Sequence, residues 1–488
     1  MRSRVLLALT PFAALLAAGP AVIPAKDESA PAGRDWPMYG GTPSRNTVNT
    51  AARGVPTDWG NKAGGKHVKW VADLGSRGYL PPAVAGGKVY VPTNNQRPRD
   101  PKVKGYKAVL MCFKEDTGAF LWQIAHDMPP DEVVTQAKPE GLLSTPAVEG
   151  DRLYYVTPAA QVVCVSTEGK VLWTCDLMKD YKVYPHYVAF GSPLVVGDLV
   201  CAVTGNGRGG GESDKPVPEP KAPSCVAVNK RDGKVVWKDN SPGENIMEGA
   251  WASPAYAVVN GRGQVIFPGG DGWLYAFGPQ DGKLLWKFDC NPKGSVFRTD
   301  SRGTRSYILA PVVHDNRVYT AVGQQPDNGP GVGHLWCVDV TRAGDVSAEL
   351  EKGKPNPNSG LVWHYGGAAP AGAGRDWLFG RSLGGCAVHD GLLYAAEWEG
   401  LLHCLDAKTG KQYWEEDLDA NVWASPLWVD GKVYLPDDAG NVHIFEHGKA
   451  KKALRTVKMA AGVKAAAVVA NGVLYVTTEK RLFAIAGK

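Results

Sequence analysis

The sequence predicts an all-β protein, an eight-bladed β-propeller of four-stranded antiparallel blades whose ring is closed by an N-terminal strand. Three observations carry that expectation. The 488 residues include 59 Gly and 36 Pro, which break long helices, and 16 Trp, which point to a repeated aromatic packing element. A Gly stands four residues before a Trp in five similar contexts. A second pattern of apolar run, two-residue turn and apolar run recurs eight times.

The Gly-to-Trp segments are TGAFLW ending at Trp122, EGKVLW at Trp173, DGKVVW at Trp237, DGKLLW at Trp286 and TGKQYW at Trp414, with looser copies ending at Trp70 and Trp363. Each follows an alternating apolar strand and a turn residue. The second pattern starts on a small residue or Pro. It reads PPAVAGGKVYV from Pro81, TPAVEGDRLYYV from Thr145, SPLVVGDLVCAV from Ser192 and SPAYAVVNGRGQVIF from Ser253. It continues as APVVHDNRVYTAV from Ala310, CAVHDGLLYAA from Cys386, SPLWVDGKVYL from Ser425 and AAVVANGVLYV from Ala466. Turn pairs such as Gly86-Gly87, Asp390-Gly391 and Asn471-Gly472 favour the positive φ that two-residue hairpins need. Pro at the first position of a strand removes no ladder bond.

Each unit therefore reads as four antiparallel strands, A to D, with the Trp on D, and such units repeated in a ring make a propeller. The last unit, ending RLFAIAGK, lacks D, whereas residues 67–75 form a D strand with no A, B or C before it. Joined, the two make the eighth blade and remove an exposed seam. The expected organisation is a signal peptide over 1–25, an arm and linker over 26–66, with Trp36 and Tyr39 packed on the body and 50–66 as linker, and one propeller over 67–488.

The A-strand signature followed by LDAKTGKQYW resembles the tryptophan-docking repeat of the PQQ-like, or quinoprotein-like, propeller superfamily over residues 67–488. The resemblance implies that Trp70, Trp122, Trp173, Trp237, Trp286, Trp363 and Trp414 knit neighbouring blades together. The superfamily includes PQQ-dependent alcohol and sugar dehydrogenases and a non-enzymatic scaffold propeller of the outer-membrane barrel-assembly machinery. Fold alone does not choose between them.

Strand direction puts the A-to-B and C-to-D turns on one face, here called lower, and the B-to-C and D-to-A connections on the upper face. The long connections are upper, apart from 341–360, and long loops on one face of a rigid ring mark the binding face. Trp251 and Trp423 stand before A strands near the channel mouth, where a planar ligand would stack or the rings would plug the funnel. Arg298, Arg302 and Arg305, with Asp300, lie in one upper loop suited to an anionic ligand or partner carboxylate. Asn206, in VTGNG, resembles the Gly-Asn whose oxygen binds Ca²⁺ in quinoprotein dehydrogenases; by the same resemblance Asp300 would be the catalytic base and PQQ the cofactor. The chain departs from that pattern. It lacks a vicinal cysteine pair, has Phe190 where those enzymes place a stacking Trp, and offers no matching Glu ligand. Asp271, Glu397, Glu399, Asp437 and Asp438 fall in B-to-C turns and are assigned no chemistry. His334 and Cys337 have a metal-like spacing, but on a strand their side chains point to opposite faces. The basic stretch 447–458 reads as an edge guard.

The N-terminal basic, apolar and small-residue regions read as an export signal, which implies a periplasmic or extracellular protein without a membrane span once the signal is removed. The first cysteine is Cys112, so no cysteine near the signal is placed to carry a lipid. Cys112, Cys164, Cys337 and Cys404 recur at one point of the unit and read as buried apolar residues rather than disulfide partners. A net charge of +5 demands neither nucleic acid nor anionic membrane. The first expectation for function is an exported, soluble, monomeric, non-catalytic propeller that presents its loop-rich face to an envelope protein, peptide or glycan. The alternative is a Ca²⁺- and PQQ-dependent oxidoreductase acting on an alcohol or sugar.

Overall fold

Eight blades, each built on four antiparallel strands A to D, follow one another along the chain; the first seven run A, B, C, D in sequence order, and three sheets gain a fifth strand. The computed structural model describes residues 35–130, 133, 138–208, 216–297, 310–324 and 329–487, so the expected signal peptide lies outside the described residues. Blades 1 to 7 span 83–127, 147–176, 194–239, 255–289, 312–368, 387–417 and 427–458. Blade 8 takes A, B and C from 468–486 and its D strand from Val68–Asp73, which pairs antiparallel with Arg481–Ala486. The strand that precedes blade 1 and the last strand of the chain therefore meet in one sheet. The described residues hold one short α-helix, Leu177–Tyr181, and no helix long and apolar enough to cross a membrane. All nine cysteines are buried and unpaired.

The register of every C–D pair slips by one residue just before the docking position, as between Val171 and Trp173 or Leu361 and Trp363. A β-bulge of this kind re-aims the next side chain. It turns the Trp out of its own blade and onto the next. The indole N–H groups of Trp70, Trp122, Trp173, Trp237, Trp363 and Trp414 donate to carbonyls in the following blade's C–D turn, at 2.8–3.2 Å. Five of those turns put a positive-φ Gly under the ring. A Cβ at Gly233 would come within 2.5 Å of Trp173, so the glycine is required both by backbone conformation and by the docked ring.

Trp286 departs from this scheme. It is fully buried but donates to Gln264 Oε1 on its own blade. The next blade carries the long insertion 341–360 in place of a tight C–D turn, and residues Gly344–Asp345 of that insertion pair in parallel with Trp286 and Lys287. Blade 7 has Arg455 where the docking ring would be, because the next C–D turn is missing: blade 8 is assembled from both chain ends. Residues 55–59 occupy that place. Tyr434 donates to the Val55 and Pro56 carbonyls, as Tyr154 and Tyr319 donate to C–D turn carbonyls elsewhere. Trp59, buried against Val442, Ile444, Val457 and Met459, fills the junction. The segment 50–66, expected as linker, thus contributes core residues at Val55 and Trp59.

Residues 35–49 run around the lower end of the channel and bond the inner, unpaired edges of the A strands. Trp36 exchanges two backbone bonds with Val84 of blade 1, and the Pro37 carbonyl accepts from Val148 of blade 2. Pro43 accepts from Tyr256 of blade 4, Ser44 from Val313 of blade 5 and Thr47 from Trp428 of blade 7. The Asn46 amide pairs with both backbone groups of Val388 in blade 6, and Asn49 donates to Val469 in blade 8. Blade 3 is reached by Arg45, whose fully buried guanidinium donates to the carbonyls of Ser192, Pro193, Pro254 and Tyr39. Burial pulls its pKa down to about 10, so it stays charged at neutral pH with carbonyl dipoles as its partners.

Two outcomes follow from this packing. Trp363→Ala removes a buried ring and its bond to Ala407, and equilibrium denaturation should show a loss of roughly 3–5 kcal/mol. Arg45→Met leaves four buried carbonyls without their donor and should lower the melting temperature of the whole ring cooperatively, read by near-UV circular dichroism.

Candidate functional site

The arm bonds the A strands at their lower ends, and the long connections gather on the upper face. Its rim is built from the D-to-A connections, which end in the Ser/Thr-Pro steps. There the hydroxyls tie blade to blade: Thr145 Oγ1 donates to the Pro81 carbonyl, while Ser192 Oγ accepts from Thr145 N–H, Ser253 Oγ from Ser192 N–H and Ser425 Oγ from Gly385 N–H. These hydroxyls hold the rim residues in register. Sequence reading took the step as a strand start and missed this role, although the repetition of Ser or Thr before Pro was the available signal.

Two aromatic groups lie on the rim. Trp251 packs with Phe190 and His186 at 5.3 Å between ring centroids and with Tyr187 at 6.3 Å. His186 is itself buried, with Nδ1 hydrogen-bonded to the Arg208 carbonyl; burial lowers its pKa to about 4, so the ring is neutral at pH 7. Trp423, across the mouth, lies 6.1 Å from Tyr79, and Lys464 sits over both rings at 4.5 and 5.0 Å. Arg77 stacks over Tyr79 at 5.8 Å. All four of these residues are half-buried, so they present mixed aromatic and cationic surface to the mouth. The two expected tryptophans therefore do not face each other as one clamp; each packs within its own group. Arg298, Asp300, Arg302 and Arg305 lie outside the described residues.

Asn206 is fully buried at the end of its B strand. Its Oδ1 accepts from Tyr184 N–H at 2.9 Å and its Nδ2 donates to the Glu219 carbonyl at 3.0 Å. The amide ties two loops together, a cross-loop role that spacing did not reveal. Among the described residues no three His, Cys, Asp or Glu side chains stand close enough together to hold a metal ion. Ca²⁺ takes six to eight oxygens, and Asn206 Oδ1 is already engaged by the Tyr184 N–H. Trp251 carries the His186 and Phe190 rings packed on it at tilted angles.

The turn carboxylates anchor C strands. Asp271 accepts from Tyr275 at 2.6 Å and burial raises its pKa to about 6. Glu397 is buried between His403 and Arg375, each at 2.7 Å; against the upward push of burial these partners hold its carboxyl below the usual range. Asp437 is placed likewise with His443 and Asn441, which outweigh burial. His334 bonds to His364 at 2.9 Å, while Cys337 is buried in the blade core, so the pair shares no site.

The docked blades and the sealed ring define a PQQ-like β-propeller. The family model described as outer membrane protein assembly factor BamB matches residues 106–360 and 333–488, and the chain belongs to that family. It is 21% identical over 356 residues to the outer membrane protein assembly factor BamB of Yersinia pestis, covering 70% of this chain and 80% of that protein. Its fold is similar to the crystal structure of BamB from Moraxella catarrhalis, with a TM-score of 0.57 and 14% identity over 86% of this chain and 98% of the other. It is equally similar to a europium-containing methanol dehydrogenase, with a TM-score of 0.59 and 14% identity over 91% and 89%. At such identities the structural likenesses speak for the fold.

Two measurements check the site. Asn206→Ala leaves a buried N–H and carbonyl unpaired and should cost about 1–3 kcal/mol, equally with Ca²⁺ or a chelator present. His186 has a folded pKa below its unfolded value, so its contribution is complete above about pH 6.5 and is lost as pH falls toward 4. Urea midpoints measured between those pH values should decline, and His186→Gln should flatten the decline.

Proposed function

We propose that the chain is an exported binding or scaffold protein of the cell envelope that takes a protein partner on its upper face. The observation that carries this reading is the division of labour in the ring. The arm bonds the A strands at the lower end, Asn206 ties two upper loops together, and the Tyr79–Trp423–Lys464–Arg77 group stands as mixed aromatic and cationic surface on the upper face. Rigid aromatic and cationic side chains on a half-buried rim are the residue types that dominate protein interfaces. Membership of a family named for outer membrane protein assembly supports a partner within that process, and therefore a location in the envelope.

The test is site-specific photo-crosslinking in cells that export the protein. A photoreactive residue at Lys464 should capture one or a few envelope proteins, and the same residue at Asp198 in a lower turn should not. Lys464→Glu should weaken capture by a probe at Arg77 without changing the melting temperature. Capture only from Asp198, or a stoichiometric quinone spectrum after addition of PQQ and Ca²⁺, would overturn the proposal.

A further inference from the structure

The outer edges of the D strands differ sharply around the ring. Eight of the eleven exposed large hydrophobic side chains among the described residues lie on these strands. Two edges are covered by the chain itself: Gly344–Asp345 adds to blade 4 in parallel, and Trp377–Phe379 adds to blade 5 antiparallel. Blades 3, 7 and 8 carry Lys or Arg within the D strand and blade 6 carries Glu415 and Glu416, the charges that keep natural edges from pairing. Blades 1 and 2 have no covering strand among the described residues, and the only charged residue in each D strand is the Asp at its end, Asp127 or Asp176.

The D strand of blade 1, Phe120–Asp127, reads FLWQIAHD, and that of blade 2, Val171–Asp176, reads VLWTCD; neither holds Lys, Arg, Glu or Pro. Each ends its sheet with no further strand beside it among the described residues. Leu121 and Leu172, at the two bulges, are 41% and 40% exposed, and Val171 is 44% exposed. Phe120 shares its face with the Arg99 guanidinium at 4.6 Å.

We infer that the outer edges of blades 1 and 2 take an added β-strand from an extended polypeptide carrying apolar residues at alternate positions. The chain shows the geometry on blade 4, where Gly344 and Asp345 stand opposite Trp286 and Lys287, immediately past the bulge. Trp122 and Gln123 are the corresponding positions of blade 1, and Gln123 Oε1 is buried there without a hydrogen-bond partner. On blade 4 that position, Lys287, meets Asp345 of the added strand at 3.9 Å. Main-chain bonds to the edge supply affinity that is indifferent to sequence. The bulge leucines favour apolar side chains on the added strand, because a strand places alternate residues on each face. This surface lies on the outer rim and is independent of whatever the upper face engages.

The probe is a short synthetic peptide alternating Val and Thr, with a fluorophore at one end and a photo-crosslinker at the other. Its comparison is the same composition with Pro at the centre, which removes a ladder donor. The alternating peptide should bind with crosslinks within 120–127 or 171–176, and the Pro peptide should not. Leu121→Lys combined with Leu172→Lys, both at exposed positions, should weaken binding about fivefold or more while melting temperature is unchanged. Equal binding of both peptides, equal affinity of the double variant, crosslinks confined to Tyr79 and Trp423, or no binding at all would overturn the inference. Self-association of the wild-type chain that the double variant abolishes would also overturn it, since the occupant would then be a second copy.

Discussion

The structure depends on how eight innermost strands are completed. In each blade the A strand pairs with B on one side and turns its other edge to the channel, where backbone N–H and carbonyl groups would stand unpaired. Residues 35–49 answer this with one winding segment that reaches blades 1 and 2 from residues 36 and 37 and blades 4 to 8 from residues 43 to 49. Arg45 serves the blade that the backbone misses, and its long planar fork spans the carbonyls of Ser192 and Pro193 on one side and Pro254 on the other. The tryptophans join blades at the periphery; the arm joins them at the axis. A ring tied at both radii has little freedom to splay, and that rigidity lets loops of the upper face present a fixed surface.

The propeller was legible because each unit repeats the same local rules. Turn pairs such as Asp390-Gly391 and Asn471-Gly472 do take positive φ, and the residue before each docking Trp is a bulge, which explains why two apolar residues lead into the ring. Exceptions arose where a local rule lost its distant partner. Trp286 turns to Gln264 because the next blade has no tight turn, and Arg455 replaces a ring because residues 55–59 stand in for a turn that two chain ends cannot make. No periodicity announces such substitutions. Trp59 lies far in sequence from Met459, to which its indole donates, and only the closed ring brings them together.

The candidate site was less legible for a related reason. Asn206 and Trp251 were singled out by their neighbours in sequence, yet their roles are set by residues from other loops: Tyr184 and Glu219 for the amide, Phe190 and His186 for the ring. Motif spacing reports residue type and not occupancy by neighbours. Lys464, by contrast, had no motif, and its place over Tyr79 and Trp423 follows from three connections meeting at the mouth. The same ring that closes the floor leaves two undefended edges on the rim. The Tyr79–Trp423–Lys464 group and the D-strand edges of blades 1 and 2 are built from different residues.

Hydrogen exchange of single backbone amides tests the central claim most directly. If the arm completes the inner edges, the amides of Val84, Val148, Tyr256, Val313 and Trp428 exchange only with global unfolding, as slowly as amides bonded within the sheets. Val195, the corresponding residue of blade 3, has no arm carbonyl opposite its N–H and exchanges faster. Rapid exchange at the arm-bonded amides while the rest of the sheet stays protected would contradict the account, because the inner edges would then be open to water and the arm no part of what holds the ring together.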